Sequence, residues 1–360
     1  MAKRMPVIIK VVLAVIAALL LAAACYLCYV IFTYSRLEDN IVLETEGEGS
    51  GSCVSAGTTY TAVTQNLGFG AYTTDFTFFM DGGTESRAAS EESVISCIEA
   101  GVEEALSFSP DFILFQEIDT DSTRSFHIDE KELIISMVDG YSYDSAVNYH
   151  SAYLMYPLTE PHGASNSVIM TLSSYDITSA LRRSLPISTS FSKFLDLERC
   201  YSVSRIPVDN GKELVVYNVH MSAYGGSPEI RTQQMTMLFE DMQSEYENGN
   251  YCLCGGDFNH DFTGTSAYDL NGSGAGDFDW AQPFPEELLP DCLYRACDYS
   301  GELTGSCRNC DIPYEPGNYT IIVDGFILSE NISADEVTVV DTGFVYSDHN
   351  PVVLSFTLKE

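Results

Sequence analysis

A short apolar segment that ends in two glycines and a polar stretch constrains the fold of this chain more than any other feature. From Tyr251 to Asn259 its sequence is YCLCGGDFN. The apolar run predicts a buried strand, and the glycines mark its end. Asp257 and Asn259 are two residues apart, so they are expected on one side of the chain just past the strand. The predicted strand is therefore followed directly by a carboxylate and an amide side chain.

A second polar segment, SDHNP, precedes the last apolar strand. Asp348 and His349 are neighbours in it, and the apolar residues Val352 to Leu358 follow. Carboxylate and amide oxygens bind hard divalent cations, and an imidazole beside them can act on a nearby water. The two segments together predict a site that holds a divalent ion and activates a water.

The charge of the chain limits its partners. Its 360 residues include 52 acidic and 17 basic ones, which gives a formal net charge of −35. Phosphate backbones are bound mainly through Lys and Arg, so tight nucleic-acid binding is disfavoured. The acidity is typical of a soluble surface.

Residues 11–34 form an uncharged apolar segment, which predicts a transmembrane helix because about 20 such residues span a bilayer. Basic residues precede it, namely Lys3, Arg4 and Lys10. Residues 1–10 are therefore expected in the cytoplasm and the bulk of the chain outside the cell membrane. A cleaved signal peptide is the alternative.

Two further parts follow the apolar segment. Residues 35–57 are acidic and then rich in Gly and Ser, which predicts a flexible stalk. From residue 58 strand and helix patterns alternate, which predicts one α/β domain over residues 58–360. The clearest helices are one capped by Ser90 and an amphipathic one from Arg231 to Asn248.

A long insertion over residues 261–317 carries the only tryptophan, Trp280. Its segment Trp280–Phe284 is a candidate substrate lid or membrane-inserting device, with a loop that packs its own aromatic side chains as the alternative. It also carries a cluster of cysteines, namely Cys292, Cys297, Cys307 and Cys310. Their spacing is compatible with disulfides, with a zinc site or with free thiols. The sequence leaves these alternatives open.

Polar residues also end other predicted strands, at Gln65–Asn66, at Gln116–Glu117 and at Asn218–His220. Asp324 differs because it lies inside an apolar strand. A carboxylate buried there needs a partner, and one of the six histidines is the natural one.

The order and spacing of these motifs resemble the endonuclease/exonuclease/phosphatase superfamily, which has the DNase I-like fold. GGDFN and SDHNP are the most specific motifs, and the resemblance covers about residues 58–360. It implies a four-layered α/β sandwich, in which two packed mixed β-sheets are flanked by helices. It also implies hydrolysis of phosphoester bonds with Mg²⁺, or with Mn²⁺ in its place.

The resemblance implies a metal site. Glu117 resembles the principal metal-binding glutamate, Asn66 the asparagine beside it, and Asp348 lies at the metal side. Leu67 and Gly68 follow Asn66 where the family usually has a second polar residue, so a second metal ligand is not expected there.

The resemblance also implies catalytic roles. His349 resembles the general base, with Asp324 as its orienting partner. Asp257 would hold the attacking water or a second metal. Asn259 and His220 would contact the phosphoryl oxygens and stabilise charge in the transition state.

The expected function is that of a membrane-anchored phosphoesterase outside the cytoplasm, acting on a small phosphorylated metabolite or a phospholipid head group. An extracellular nuclease and a non-catalytic binding module on the same fold are the alternatives. Four arginines are candidates for binding a second phosphate or a leaving group, although a salt bridge is the expected fate of most: Arg182, Arg183, Arg231 and Arg308.

Overall fold

The computed structural model describes residues 6–190, 193, 198–223, 227–272, 274, 280–297, 299–301 and 303–360. It contains two compact units, which divide between Arg36 and Leu37. Among the described residues, the first unit contains helix α1 (Val7–Thr33), and the second contains the strands and the other helices.

Helix α1 is long and apolar enough to cross a membrane. It has 27 residues, its most apolar window has a mean hydropathy of 2.9, and none of its side chains is buried. A signal sequence near an N-terminus shares these properties. The predicted apolar helix is confirmed, although it begins at Val7 rather than at residue 11, and its insertion in a membrane stays a prediction.

The helices of the second unit are α2 (Glu91–Ser107), α3 (Glu130–Met137), α4 (Pro228–Glu247) and α5 (Ser266–Asn271). Its strands are β1 (Ile41–Leu43), β2 (Glu46–Gly47), β3 (Thr59–Asn66), β4 (Phe112–Asp119), β5 (Ser142–Leu154), β6 (Gly163–Ser173), β7 (Ser179–Ser184), β8 (Cys200–Pro207), β9 (Glu213–His220), β10 (Tyr251–Asp257), β11 (His260–Asp261), β12 (Gln282–Pro283), β13 (Leu293–Arg295), β14 (Cys307–Arg308), β15 (Thr320–Ile321), β16 (Asp324–Ser329), β17 (Ile332–Val339) and β18 (Val352–Leu358).

Within the described residues, most strands form two seven-stranded sheets. Sheet A has the order β1–β7–β8–β9–β10–β16–β13, and sheet B has the order β17–β18–β3–β4–β6–β5–β2. Both sheets are mixed, because β9 and β10 are parallel in sheet A, β3 and β4 are parallel in sheet B, and the other neighbours are antiparallel.

The two sheets pack face to face around one apolar core, to which both contribute buried side chains such as Tyr60, Phe112, Leu114, Leu253, Phe326 and Phe356. Helices cover the outer faces, with α2 on sheet B and α4 on sheet A. The four-layered α/β sandwich is therefore confirmed.

The packing of strand β10 explains why its sequence contains no polar residue with alternating spacing before Asp257. Leu253 points into the core between the sheets, whereas Cys252 and Cys254 pack against α4 on the other face. Every residue of the strand is buried, because both of its faces are covered. Sequence alternation alone would have missed a strand of this kind.

The predicted flexible stalk over residues 35–57 is wrong, because residues 37–57 belong to the second compact unit. Strand β1 pairs with β7 at the edge of sheet A, and β2 pairs with β5 at the edge of sheet B. Glycine serves close packing here, since a Cβ atom on Gly49 would lie 2.5 Å from the backbone of Tyr175. The compact unit thus begins at Leu37 rather than at residue 58.

The insertion over residues 261–317 contains short elements rather than one long loop, namely α5 and β11 to β14. Part of the loop before Trp280 lies outside the described residues. All eleven cysteines have free thiols in the structure, and Cys307 and Cys310 are both buried.

A buried carboxylate between the sheets makes stability depend on pH. Asp144 in β5 is 1% exposed and accepts a hydrogen bond from Ser204 in β8. Burial raises the pKa of Asp144 from 3.8 to about 7. Between these values the folded state binds more protons than the unfolded state, so stability falls as the pH rises through this range.

We therefore expect Asp144→Asn to remove this part of the pH dependence. Relative to the wild type, the variant should gain roughly 2 to 4 kcal/mol between about pH 4 and pH 8, because asparagine is never ionised. Thermal unfolding of both full-length proteins in detergent, at about pH 4 and about pH 8, measures this difference in stability. A variant and a wild type that lose stability in parallel would contradict this origin of the pH dependence.

Candidate active site

Polar side chains from adjacent strands meet at one edge of the sandwich. In sheet A, His220, Asp257 and Asp324 lie at the same register of β9, β10 and β16. In sheet B, Asn66 at the end of β3 lies opposite Gln116 of β4. The ends of these strands therefore bring together residues that are far apart in sequence.

Asp324 and His349 form a buried pair across this edge. His349 Nδ1 donates to Asp324 Oδ2 at 2.7 Å, since a carboxylate can only accept. Ser306 Oγ donates to the same oxygen at 2.7 Å. Asp324 is fully buried and His349 is 6% exposed. The imidazole partner predicted for the buried carboxylate is thus present.

The surroundings of His349 favour its protonated form. Burial alone would lower the pKa of this imidazole, but the charges of Asp324 and Asp348 raise it well above the usual value. Its Nε2 atom lies 3.9 Å from Asp257 Oδ2. The nitrogen that is not bound to Asp324 is thus on the side of the second carboxylate.

Asp257 is the most connected carboxylate of the site. Its Oδ1 accepts from the Asn259 amide N–H at 2.9 Å, and its Oδ2 accepts from Asn66 Nδ2 at 3.2 Å. Burial and the nearby Asp324 raise its pKa to about 7. Asp257 is therefore balanced between its neutral and ionised forms near neutral pH.

His220 differs from His349 because its pKa is low. Burial, with help from the positive charges of Arg199, His349 and Arg124, holds the pKa of His220 well below its usual value. Its Nε2 lies 3.6 Å from Asp257 Oδ2, and its Nδ1 is buried without a hydrogen-bond partner. A neutral imidazole in this position can offer one N–H to a bound ligand.

Glu117 reaches the site through an irregular backbone. Strand β4 has a bulge between Phe115 and Ile118, and Glu117 within it has a φ of 55°. Such a conformation is strained for a side chain other than glycine and is frequent at functional sites. The carboxylate of Glu117 is one-quarter exposed and lies 3.7 Å from His220 Nε2.

Asp348 also belongs to the site, and one of its two carboxylate oxygens has no partner. Its Oδ1 atom is buried and has no hydrogen-bond partner. Burial raises its pKa to about 6, and the charge of Glu117 adds to the rise. A Cβ atom on Gly68 would lie 2.9 Å from this Oδ1, so the glycine after Leu67 leaves room for Asp348 rather than for another ligand.

Asp348 and Glu117 fit a divalent cation. Their negative charges repel each other, and a cation between them would neutralise this repulsion and bind the unpartnered Oδ1 of Asp348. Among the described residues, two trios have potential ligand atoms within 4.8 Å of one another. They are Cys307, Asp348 and His349, and Asp257, Asp324 and His349. Glu117 belongs to neither trio in this conformation, although its side chain is exposed enough to turn.

Both the backbone and the side chain of Asn259, which is expected to contact phosphoryl oxygens, are held in place. It has a φ of 51°, and its Nδ2 donates to the Met221 carbonyl oxygen at 2.9 Å. One N–H of its amide therefore remains for a ligand.

These groups surround one cleft, which is also lined by Phe69, Tyr72, Arg124, Tyr149, Arg199, Trp280, Cys307 and Arg308. We call it the catalytic-edge cleft. Trp280, the candidate lid residue, lies in its wall. Asn66 and Asp324 lie behind it as buried supports for Asp257 and His349.

Sequence analysis missed Arg124, Tyr149 and Arg199. The guanidinium groups of Arg124 and Arg199 lie 5.9 and 5.7 Å from the centre of the Tyr149 ring. Arg124 also makes two hydrogen bonds of 2.9 Å to Asp119. These residues belong to no recognisable motif, and the scarcity of basic residues in the chain was the only available signal.

The arrangement can support proton transfer beside a bound cation. His349 is oriented by Asp324, and Asp257 lies between His349 and His220 at distances that a water could bridge.

Comparisons with known proteins agree with this fold. A sequence model of the Endonuclease/Exonuclease/phosphatase family matches residues 64–349. The search of curated proteins found no match. An endonuclease/exonuclease/phosphatase from Beutenbergia cavernae has a TM-score of 0.55 and 14% identity, with 84% of this chain and 72% of that chain covered.

Two further solved structures cover 83% of this chain and the whole of their own. An endonuclease/exonuclease/phosphatase family protein from Leptotrichia buccalis has a TM-score of 0.53 and 14% identity. A mannosyl-6-phosphatase from Bacteroides thetaiotaomicron has a TM-score of 0.51 and 16% identity. Identities this low show the shared fold alone. Because the family match spans most of the sequence, the chain belongs to the Endonuclease/Exonuclease/phosphatase family, whose members hydrolyse phosphoester bonds.

Proposed function

We propose that this protein is a Mg²⁺-dependent phosphoesterase that acts outside the cytoplasm on a small phosphorylated metabolite or a phospholipid head group. The hydrogen bond between Asp324 and His349 is the observation that carries the proposal. It holds an imidazole in one orientation, with its Nε2 atom 3.9 Å from Asp257 Oδ2 in the catalytic-edge cleft. This is the arrangement that a general base for water requires.

We assign Glu117 and Asp348 to the metal, with Mn²⁺ able to replace Mg²⁺. Asn66, the asparagine expected beside them, accepts from the Gly68 N–H at 2.9 Å through its side-chain oxygen and donates to Asp257, so we assign it a supporting role. The unpartnered Oδ1 atom of Asp348 and the partly exposed carboxylate of Glu117 support the assignment. When bound, the ion would polarise a phosphoryl oxygen and favour ionisation of the attacking water.

The proton of the water passes to Nε2 of His349, and Asp324 stabilises the imidazolium that forms. His349 must first be neutral, and it reaches that state more readily when the negative charge of Asp348 is neutralised. Asp257 orients the water, and Asn66 fixes Asp257 by its hydrogen bond of 3.2 Å.

His220 and Asn259 are the remaining polar groups that we assign to the substrate. The low pKa of His220 keeps it neutral, so it can donate a hydrogen bond without adding charge. Donors that are already in place stabilise negative charge on the phosphoryl oxygens as it develops.

Helix α1 and the basic residues before it support the proposed location outside the cytoplasm. If α1 stays in the membrane, the positive charges Lys3, Arg4 and Lys10 favour a cytoplasmic N-terminus and an external catalytic unit. Substrates would then be metabolites outside the cytoplasm or lipids of the same membrane.

A substrate panel tests the proposal. Full-length protein in detergent would be assayed with p-nitrophenyl phosphate, bis-p-nitrophenyl phosphate, sphingomyelin and plasmid DNA, each with Mg²⁺ and with EDTA. We expect EDTA-sensitive cleavage of a small-molecule or lipid substrate. Cleavage of DNA alone would favour a nuclease, and cleavage of none in the presence of Mg²⁺ would favour a binding module. Either result would contradict the proposal.

His349→Ala should lower the turnover of the preferred substrate by at least about 100-fold, as is typical when a general base is lost. Asp324→Asn should lower it as well, because asparagine can neither stabilise the imidazolium nor hold the same tautomer. His127→Ala is the matched control, since His127 is exposed and pairs only with Asp121 among the described residues. Wild-type turnover in His349→Ala would exclude the assigned base.

Glu117→Gln should raise the Mg²⁺ concentration that is needed for half-maximal activity, because a neutral amide binds a hard cation more weakly than a carboxylate. Glu99→Gln on the exposed face of α2 is the matched control. An identical Mg²⁺ dependence in Glu117→Gln and the wild type would remove Glu117 from the metal site.

A further inference from the structure

Arg308 is a buried guanidinium whose hydrogen bonding is incomplete. It is 1% exposed and is among the largest fully buried side chains of the protein. Its Nη2 donates to the carbonyl oxygens of Thr73 and Phe76 at 2.9 and 3.2 Å. Its Nε and Nη1 atoms are buried without any hydrogen-bond partner. Two of the three nitrogens are thus unused.

Arg308 also forms no salt bridge with a carboxylate in the described part of the chain. Arg182, which is equally buried at 1%, gives the contrast, because its Nη2 lies 3.0 Å from Glu198 Oε1. Arg183 pairs with Asp39 and Asp241. Burial raises the pKa of the neighbouring Asp348 and the charge of Arg308 opposes that rise, but the two side chains form no salt bridge.

An unpaired buried charge is unfavourable by several kcal/mol, so such groups are normally neutralised by a partner. The partner of Arg308 can come from outside the protein, because this side chain lines the catalytic-edge cleft. Its unpaired nitrogens have almost no solvent contact, so the side chain must turn toward the cleft to bind an anion there.

The backbone places Arg308 beside the proposed metal ligands. Its N–H donates to the Asp348 carbonyl oxygen at 3.0 Å, and the preceding residue, Cys307, pairs with His349 in an antiparallel bridge. The segment is therefore fixed to the chain that carries both Asp348 and His349. A phosphate held at this site would lie beside the segment that carries Arg308.

We infer that Arg308 binds an anionic oxygen of a phosphate group with two negative charges, so that the substrate is a phosphomonoester. The inference rests on the proposed function and narrows its substrate class. A phosphodiester group carries a single negative charge. Once the metal ion has bound it, little negative charge remains to attract the guanidinium of Arg308. Hydrolysis of a monoester breaks the ester P–O bond with water and releases an alcohol and inorganic phosphate.

Inorganic phosphate is therefore a suitable probe for binding. Calorimetric titration of the full-length protein in detergent with Mg²⁺ should show phosphate binding that is about tenfold to a hundredfold weaker in Arg308→Met, the range expected for lost hydrogen bonds to a charged group. Arg308→Lys should bind with intermediate affinity. Arg205→Met is the control, since Arg205 pairs with Glu213 and Glu245 outside the cleft.

Thermal unfolding separates this role from a structural one. Without phosphate, Arg308→Met should differ little in stability from the wild type, because the loss of the hydrogen bonds to Thr73 and Phe76 is offset by the removal of a buried charge. With phosphate, only the wild type and Arg205→Met should gain the full stabilisation. A variant that is less stable without phosphate but still binds phosphate with wild-type affinity would overturn the inference.

Kinetics separates failure of the inference from failure of the proposed function. In the wild type, kcat/KM should be higher for p-nitrophenyl phosphate than for bis-p-nitrophenyl phosphate, and Arg308→Met should reduce that ratio by at least about tenfold. An unchanged ratio with normal turnover would overturn the inference alone. If no small-molecule or lipid ester of the substrate panel is hydrolysed, the proposed function fails, and the phosphate titration still decides whether Arg308 is an anion ligand.

Discussion

The hydrogen bond between Asp324 and His349 is the interaction on which the proposed site depends. Asp324 belongs to β16 of sheet A, whereas His349 lies three residues before the start of β18 of sheet B. A carboxylate inside an apolar strand is tolerated only with a polar partner, so the pair fixes the segment before β18 against the other sheet. The same contact that satisfies a buried charge also orients the imidazole.

Other polar contacts between the sheets repeat this arrangement around the cleft. Asn66 of sheet B donates to Asp257 of sheet A at 3.2 Å, and Gln116 of sheet B donates to Asn218 of sheet A at 2.8 Å. Further from the cleft the sheets meet mainly through apolar side chains, with a few polar contacts such as that between Asp144 and Ser204. Hydrogen bonds have directional geometry, so these contacts set the register of the sheets at the edge where precise distances matter.

The motifs predicted this site because strand ends can be recognised from the local sequence. The pairing of edge strands cannot, and for that reason residues 35–57 resembled a stalk although β1 and β2 extend both sheets. Likewise, the position of Arg308 beside Asp348 depends on a short bridge between Cys307 and His349, which only the fold reveals. Local patterns predicted which polar side chains form the candidate site. Long-range strand pairing determines which other residues, such as Arg308, lie beside them.

Crystallography of the protein grown with Mn²⁺, with anomalous scattering used to locate the ion, tests the central claim most directly. The account predicts one Mn²⁺ ion bound by the carboxylates of Glu117 and Asp348, with His349 still hydrogen-bonded to Asp324 and not coordinated. An ion bound instead by Cys307 and His349, which are close enough to share one, would contradict it. His349 would then be a metal ligand and could not act as the base.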